Sequence, residues 1–189
     1  PARVDAVVCS AHKVGGYAGV GALLLKKRAR ALPPPWVGGG QENGLRPGTE
    51  ATALIAAFGA ACAVVDDTRR AHAALAPLRD RLEARVVAAC GGRALCVSQP
   101  RLSNTSAVLF PGVDGDALRL LLDQSGVAVG FGAACSALAP EPSPGLMALG
   151  VSAEDARRVV RFSLAPGIDE AVIDDAAARV VVVAQKLKP

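Results

Sequence analysis

The sequence predicts an α/β fold in which short apolar strands alternate with helices. Three observations carry that prediction. Apolar runs of strand length occupy 4–9, 106–110 and 159–164. Ala-rich or helically spaced segments lie between and after them. Two long irregular stretches, 31–51 and 130–145, interrupt the alternation, and loops of that length in a folded chain commonly carry function. The reading divides the chain into a first segment, 1–68, with buried strands of the parallel type, and a smaller α+β layer, 69–189.

Taken in order, 4–9 reads as a buried strand that stops at Ser10-Ala11-His12-Lys13. Residues 19–27 read as a second strand with glycine at its entry. Four prolines and five glycines between 31 and 51 forbid a regular helix there. Thr49 is then placed to cap a helix over 50–65. The charged run 66–70 reads as a bend or domain boundary, and helix resumes over 71–89, adjusted at Pro77. Strands are expected at 94–98 and 106–110. Residues 115–124 form an amphipathic helix, with Ala117, Leu118, Leu121 and Leu122 on one face. A short strand over 127–129 leads into the second irregular stretch. A helix over 153–157, a strand over 159–164 and a closing helix over 168–187 complete the chain.

Composition narrows the function classes. The 51% hydrophobic content beside 20% charged residues is a soluble globular balance, and the 3% of aromatics leaves the core to Ala, Val and Leu. Five cysteines with no Cys-x-x-Cys, accompanied by two histidines, argue against a disulfide framework or a zinc site and fit a reducing cytoplasm. No apolar run of about 20 residues is present to span a membrane. The chain opens on a strand pattern rather than a signal peptide. Net charge is +4, and the densest basic cluster, Lys26-Lys27-Arg28-Ala29-Arg30, has no aromatic or second basic run beside it. It reads as a solvated turn sooner than as a phosphate or nucleic-acid patch, and no DNA partner is expected.

The chemistry-bearing positions are few. Lys13 ends a strand, stands beside Ser10 and His12, and is followed by Gly15, Gly16, Gly19 and Gly21. One reading is a solvated strand terminus. The other is a Schiff-base lysine flanked by donors suited to phosphate, with glycines that let the chain pass close to a ligand. Cys9, Cys62, Cys90 and Cys96 fall in strand or helix patterns and read as small buried hydrophobes. Cys135 differs, because it lies in a Gly/Ala/Pro-rich loop that gives it no packing role.

Four segments bear on that choice: "SAHKVGGYAGVGALLL", "GGGQENGLRPGTEA", "GFGAACSALAPEPS" and "VVRFSLAP". In this order they resemble the motifs of the cysteine desulfurases, class V enzymes that use pyridoxal 5'-phosphate (PLP). The resemblance covers nearly the whole chain. It departs from the family pattern at Tyr17-Ala18, Pro47, Phe131 and Ala165-Pro166. It implies the C-terminal part of a PLP-dependent transferase of fold type I: a remnant of the large-domain mixed sheet, then a small α+β domain carrying the active cysteine loop.

The same resemblance implies the site. Lys13 carries PLP, Ser10 and His12 contact its phosphate, and Thr49 reaches the cofactor phosphate of a neighbouring subunit in a homodimer. Arg161 clamps the carboxylate of L-cysteine. Cys135 takes the sulfur as a persulfide and passes it to an acceptor or iron–sulfur scaffold protein, with alanine as co-product. Family members are about twice this length, so a missing N-terminal half that precedes Lys13 is also implied. Two other readings stay open. One is an incomplete fragment that binds a partner without holding PLP. The other is a different class V reaction, a lyase or an aminotransferase, against which Cys135 in Gly-x-x-Cys-Ser speaks.

Overall fold

A computed structural model describes residues 4–27, 33–131 and 142–188. Two units are distinguished, Pro1–Arg69 and Arg70–Pro189.

The first unit opens on a hairpin. Strand β1 (Ala6–Ser10) pairs antiparallel with β2 (Gly21–Leu25), in a register that sets Ser10 opposite Gly21 and Ala6 opposite Leu25. The sequence reading of two buried parallel-type strands is therefore corrected on two counts. The strands pair antiparallel, and most of their apolar side chains are exposed: Val8 is 78% and Leu24 56% accessible. A short apolar run cannot report its own pairing direction, and it reports burial only if something packs on it. The basic cluster after β2 lies partly outside the described residues, at 28–30.

A turn of 3-10 helix, Gln41–Gly44, interrupts the Gly/Pro-rich stretch, with Glu42 and Asn43 in the left-handed region. Helix α1 (Thr52–Ala63) follows, with Ala51 at its cap. The charged run 66–70, read as a bend or domain boundary, is not a bend, but the division between the two units falls within it, at Arg69 and Arg70. The run lies inside α2 (Val65–Ala73), where Asp66 and Asp67 occupy the first turn and favour the positive helix end. Cys62 is exposed on α1, against the buried role expected of it.

The second unit is a four-stranded antiparallel sheet in the order β3 (Arg93–Ala94), β4 (Thr105–Leu109), β6 (Val159–Ser163), β5 (Gly130–Phe131). Helices α3 (Ala76–Cys90), α4 (Gly115–Gln124) and α7 (Glu170–Lys186) cover one face. Val108, Val160 and Phe162 from the sheet meet Leu82 and Val86 of α3, Leu118 and Leu122 of α4, and Ile173 and Val180 of α7 there. The opposite face carries Ala107, Leu109, Val159 and Arg161, as strand alternation requires. The turn that follows α5 (Pro144–Ala148) and helix α6 (Ala153–Ala156) bring Val151 and Ala156 onto Leu109 and Val159. Asp114, Ser152 and Asp169 cap α4, α6 and α7 through their side chains.

Three sequence expectations shift in this unit. The helix expected over 71–89 is interrupted after Ala73 and restarts at Ala76, so that Pro77 falls in a first turn, where its missing N–H costs nothing. Strand 94–98 shrinks to Arg93–Ala94, because the chain turns at Cys96, whose φ is +57°. The strand expected at 127–129 forms at Gly130–Phe131 instead.

A polar cluster ties α3 to the sheet. Glu83 accepts hydrogen bonds from Arg101 at 2.5 and 3.0 Å and from Ser106 at 2.6 Å. Burial pushes the Glu83 carboxyl up, but the bonds from Arg101 and Ser106 and the charges of Arg101 and Arg79 outweigh it and hold it below the ordinary value of 4.5. A depressed folded value means stability that is fully present above 4.5 and lost as pH falls through the folded value. Urea unfolding of the wild-type chain should therefore show stability declining below that pH, and Glu83→Gln should flatten the decline. An equal acid loss in both chains would show that Glu83 is not its source.

Candidate active site

The hairpin connection holds three of the residues singled out in the sequence. Ser10 ends β1, and Ala11–Lys13 forms a single 3-10 turn with His12 and Lys13 exposed. The backbone beneath them is fixed. Ala11 is fully buried, donates its N–H to Val20 O, and accepts at its carbonyl from Val14 and Gly16. Gly21 must lack a side chain, since a Cβ would fall 2.6 Å from the carbonyl oxygen of Cys9. The side chains of Ser10, His12 and Lys13 make no hydrogen bond or ion pair among the described residues. A hydroxyl, an imidazole and an amine are thus held, uncommitted, on one tip.

Thr49 is exposed and is not the cap of α1, which corrects the sequence expectation. The chain tightens at Thr52, whose N–H meets Glu50 O, so the helix begins later. The loop before it is pinned where Gly48 N donates to Gln41 Oε1 and Arg46 to the carbonyls of Pro47 and Gly48. The Thr49 hydroxyl is left without a partner among the described residues. A cleft of about 980 Å³ also lies in this unit, walled in part by β2, Trp36, Leu45, Ile55 and Phe58. None of Ser10, His12, Lys13 or Thr49 lines it.

In the second unit Arg161 stands on the sheet face away from α3 and α7. Its cross-strand neighbours are Ala107 on β4 and Gly130 on β5. Four arginines of the described residues are buried or half-buried: Arg79, Arg101, Arg158 and Arg161. Arg79 bonds Asp80 and Leu102 O, Arg101 bonds Glu83, and Arg158 bonds Glu154. Arg161 has no acceptor among the described residues, and a planar guanidinium fork is of the shape that matches a carboxylate. Cys135 lies outside the described residues.

The donor set fits the phosphate and aldehyde ends of PLP: Ser10 and His12 for the phosphate, Lys13 for the aldehyde. Asp5 does not serve the ring nitrogen from this tip. Its carbonyl accepts from Lys26 at the far end of the hairpin, about 17 Å away by strand rise. Among the described residues, no group of three metal-ligating side chains occurs and no helix is long and apolar enough to cross a membrane.

Residues 2–175 match the family model for class-V aminotransferases. The chain belongs to that family. Among curated class-V relatives, a cysteine desulfurase of Klebsiella pneumoniae is 35% identical over 187 residues, 98% of this chain and 47% of the relative. A solved NifS-like protein from Rickettsia africae superposes with a TM-score of 0.80 at 25% identity, over 96% of this chain and 48% of that one. SspA, solved in complex with cysteine, superposes at 0.62 with 32% identity over 86% of this chain and 44% of its own. The chain thus spans about half the length of the curated relatives it matches. The mixed helix and sheet of both units agrees with these NifS-like neighbours.

Sequence reasoning gave Gly130 no place in a strand, because it ended the strand at 129 and opened the irregular stretch at 130, whereas β5 is Gly130–Phe131.

Proposed function

We propose that this chain works in a PLP-dependent cysteine desulfurase, which moves sulfur from L-cysteine onto a protein cysteine and releases alanine. The observation that carries this reading furthest is Arg161, a half-buried guanidinium with no protein acceptor among the described residues. The first unit is part of the cofactor-binding domain, and the second is the small domain.

PLP supplies the electron sink that lets the α-carbon of cysteine lose its proton. Lys13 Nζ anchors the cofactor and then moves that proton. Ser10 and His12 donate to the phosphate, and Thr49 serves the phosphate of a second subunit. Arg161 grips the substrate carboxylate through two parallel N–H bonds. Cys135 attacks the substrate sulfur as a thiolate: the S–S bond forms as the Cβ–S bond breaks, and its electron pair stays with the carbon skeleton. That skeleton takes one proton at Cβ, regains at the α-carbon the proton that Lys13 removed, and leaves as alanine. The persulfide sulfur then passes to an acceptor, such as an iron–sulfur scaffold protein.

Cys135→Ser tests the reaction class. The variant should take up PLP like the wild-type chain yet form no persulfide and no alanine. Alanine released at the wild-type rate would point to another class V reaction. The exposed faces of β1 and β2 favour a second reading, in which the chain acts only with a further polypeptide that covers them. That reading expects a colourless, self-associating chain.

A further inference from the structure

We propose that Gly130 is a positioning residue for Arg161: its missing side chain lets the guanidinium lie across β5 at the depth needed to receive a substrate carboxylate. The inference rests on the reading of Arg161 as the carboxylate clamp and goes one step beyond it.

Gly130 and Arg161 are direct partners in the register of β5 and β6, so their side-chain positions fall on one face of the sheet. A Cβ built on Gly130 would sit 2.9 Å from Nη2, 3.1 Å from Nε and 3.3 Å from Cζ of Arg161. All three nearest atoms belong to that one guanidinium. On the other side of β6 the partner is Ala107, also small. Arg161 therefore lies between two small residues, one of which has no side chain at all.

The clash a methyl group would cause is with the far end of a flexible side chain, not with backbone. No ion pair among the described residues holds Arg161 in place. The guanidinium would swing away from an added methyl and the sheet would stay intact. The consequence falls on the direction of the fork, which has to keep both of its N–H groups aimed at one carboxylate.

The test uses the 189-residue chain labelled with 15N and follows the Arg161 Nε–Hε signal, assigned by its loss in Arg161→Ala. L-alanine is the titrant, since it bears the carboxylate and has no sulfur to transfer. Gly130→Ala should leave the urea midpoint nearly unchanged, move the Arg161 signal, and weaken L-alanine binding by about 10- to 100-fold, the loss of one of the two charge-assisted bonds. The same change made in an Arg161→Ala background should weaken binding no further. Binding that depends on Arg161 but ignores Gly130→Ala overturns the proposal and leaves the clamp standing. So does an equal loss from Gly130→Ala with and without Arg161, which would mark a merely structural effect. L-alanine that leaves the Arg161 signal unmoved in the unaltered chain overturns the clamp itself, and the proposal with it.

Discussion

Lys13→Ala is expected to abolish covalent capture of PLP by this chain while leaving the fold unchanged. The side chain is exposed on the hairpin tip and makes no hydrogen bond or ion pair among the described residues, so its removal breaks no contact. The tip is held instead by backbone: Ala11 N to Val20 O, and Val14 N and Gly16 N to Ala11 O. Circular dichroism and the urea midpoint should match those of the wild-type chain. Alanine formation from L-cysteine should fall by at least ~10²–10⁴-fold, the range for removing a positioned acid–base group. Lys13→Arg should fail equally, because a guanidinium keeps the charge but cannot form a Schiff base. A variant at position 13 that still holds PLP through a reducible bond would move the site elsewhere.

Arg161→Ala is expected to have the second largest effect, and on substrate rather than cofactor. Hydrogen bonds to charged groups contribute about 1.5–3 kcal/mol each, so two parallel bonds to a carboxylate correspond to roughly 10²–10⁴ in kcat/KM. PLP uptake should be unaltered. Arg161→Lys should recover only part of the loss, since an ammonium cannot reproduce the two-pronged geometry. Stability should change little, because Arg161 makes no hydrogen bond or ion pair among the described residues that its removal would break. Equal affinity for L-cysteine in Arg161→Ala and the wild-type chain would leave the sheet face without its proposed role.

How much of this was legible in the sequence depends on what sets each feature. Helix α4 could be read to its ends, Gly115–Gln124, because its apolar face recurs at helical spacing; the cap at Asp114 is seen only in the structure. Strand β6 could be read within a residue, because Val160 and Phe162 alternate with Val159 and Arg161 across a sheet whose two faces have different neighbours. The hairpin was legible as two apolar strands but not as an exposed antiparallel pair, since pairing direction and burial are properties of the partner and not of the run. The turn at Cys96 was hidden for a related reason: a left-handed φ at a non-glycine residue has no clear sequence mark.

At the site, the grouping of Ser10, His12 and Lys13 follows from their adjacency in sequence, and one 3-10 turn presents them together. Thr49 illustrates the limit. A threonine before an Ala-rich helix satisfies the capping pattern, yet the Glu50–Thr52 turn delays the helix and frees the hydroxyl. Arg161 could be placed on a strand from sequence, but its lack of a partner among the described residues could not, because its cross-strand neighbours, Ala107 and Gly130, arrive from two other strands.

The measurement that tests the account most directly is the site of PLP attachment. The 189-residue chain would be incubated with PLP, reduced with borohydride, digested, and its adducts located by peptide mass. The account predicts a saturable adduct on the Lys13 peptide, with little on Lys26, Lys27, Lys186 or Lys188. Labelling spread evenly over those four lysines, or absent from Lys13, would contradict it.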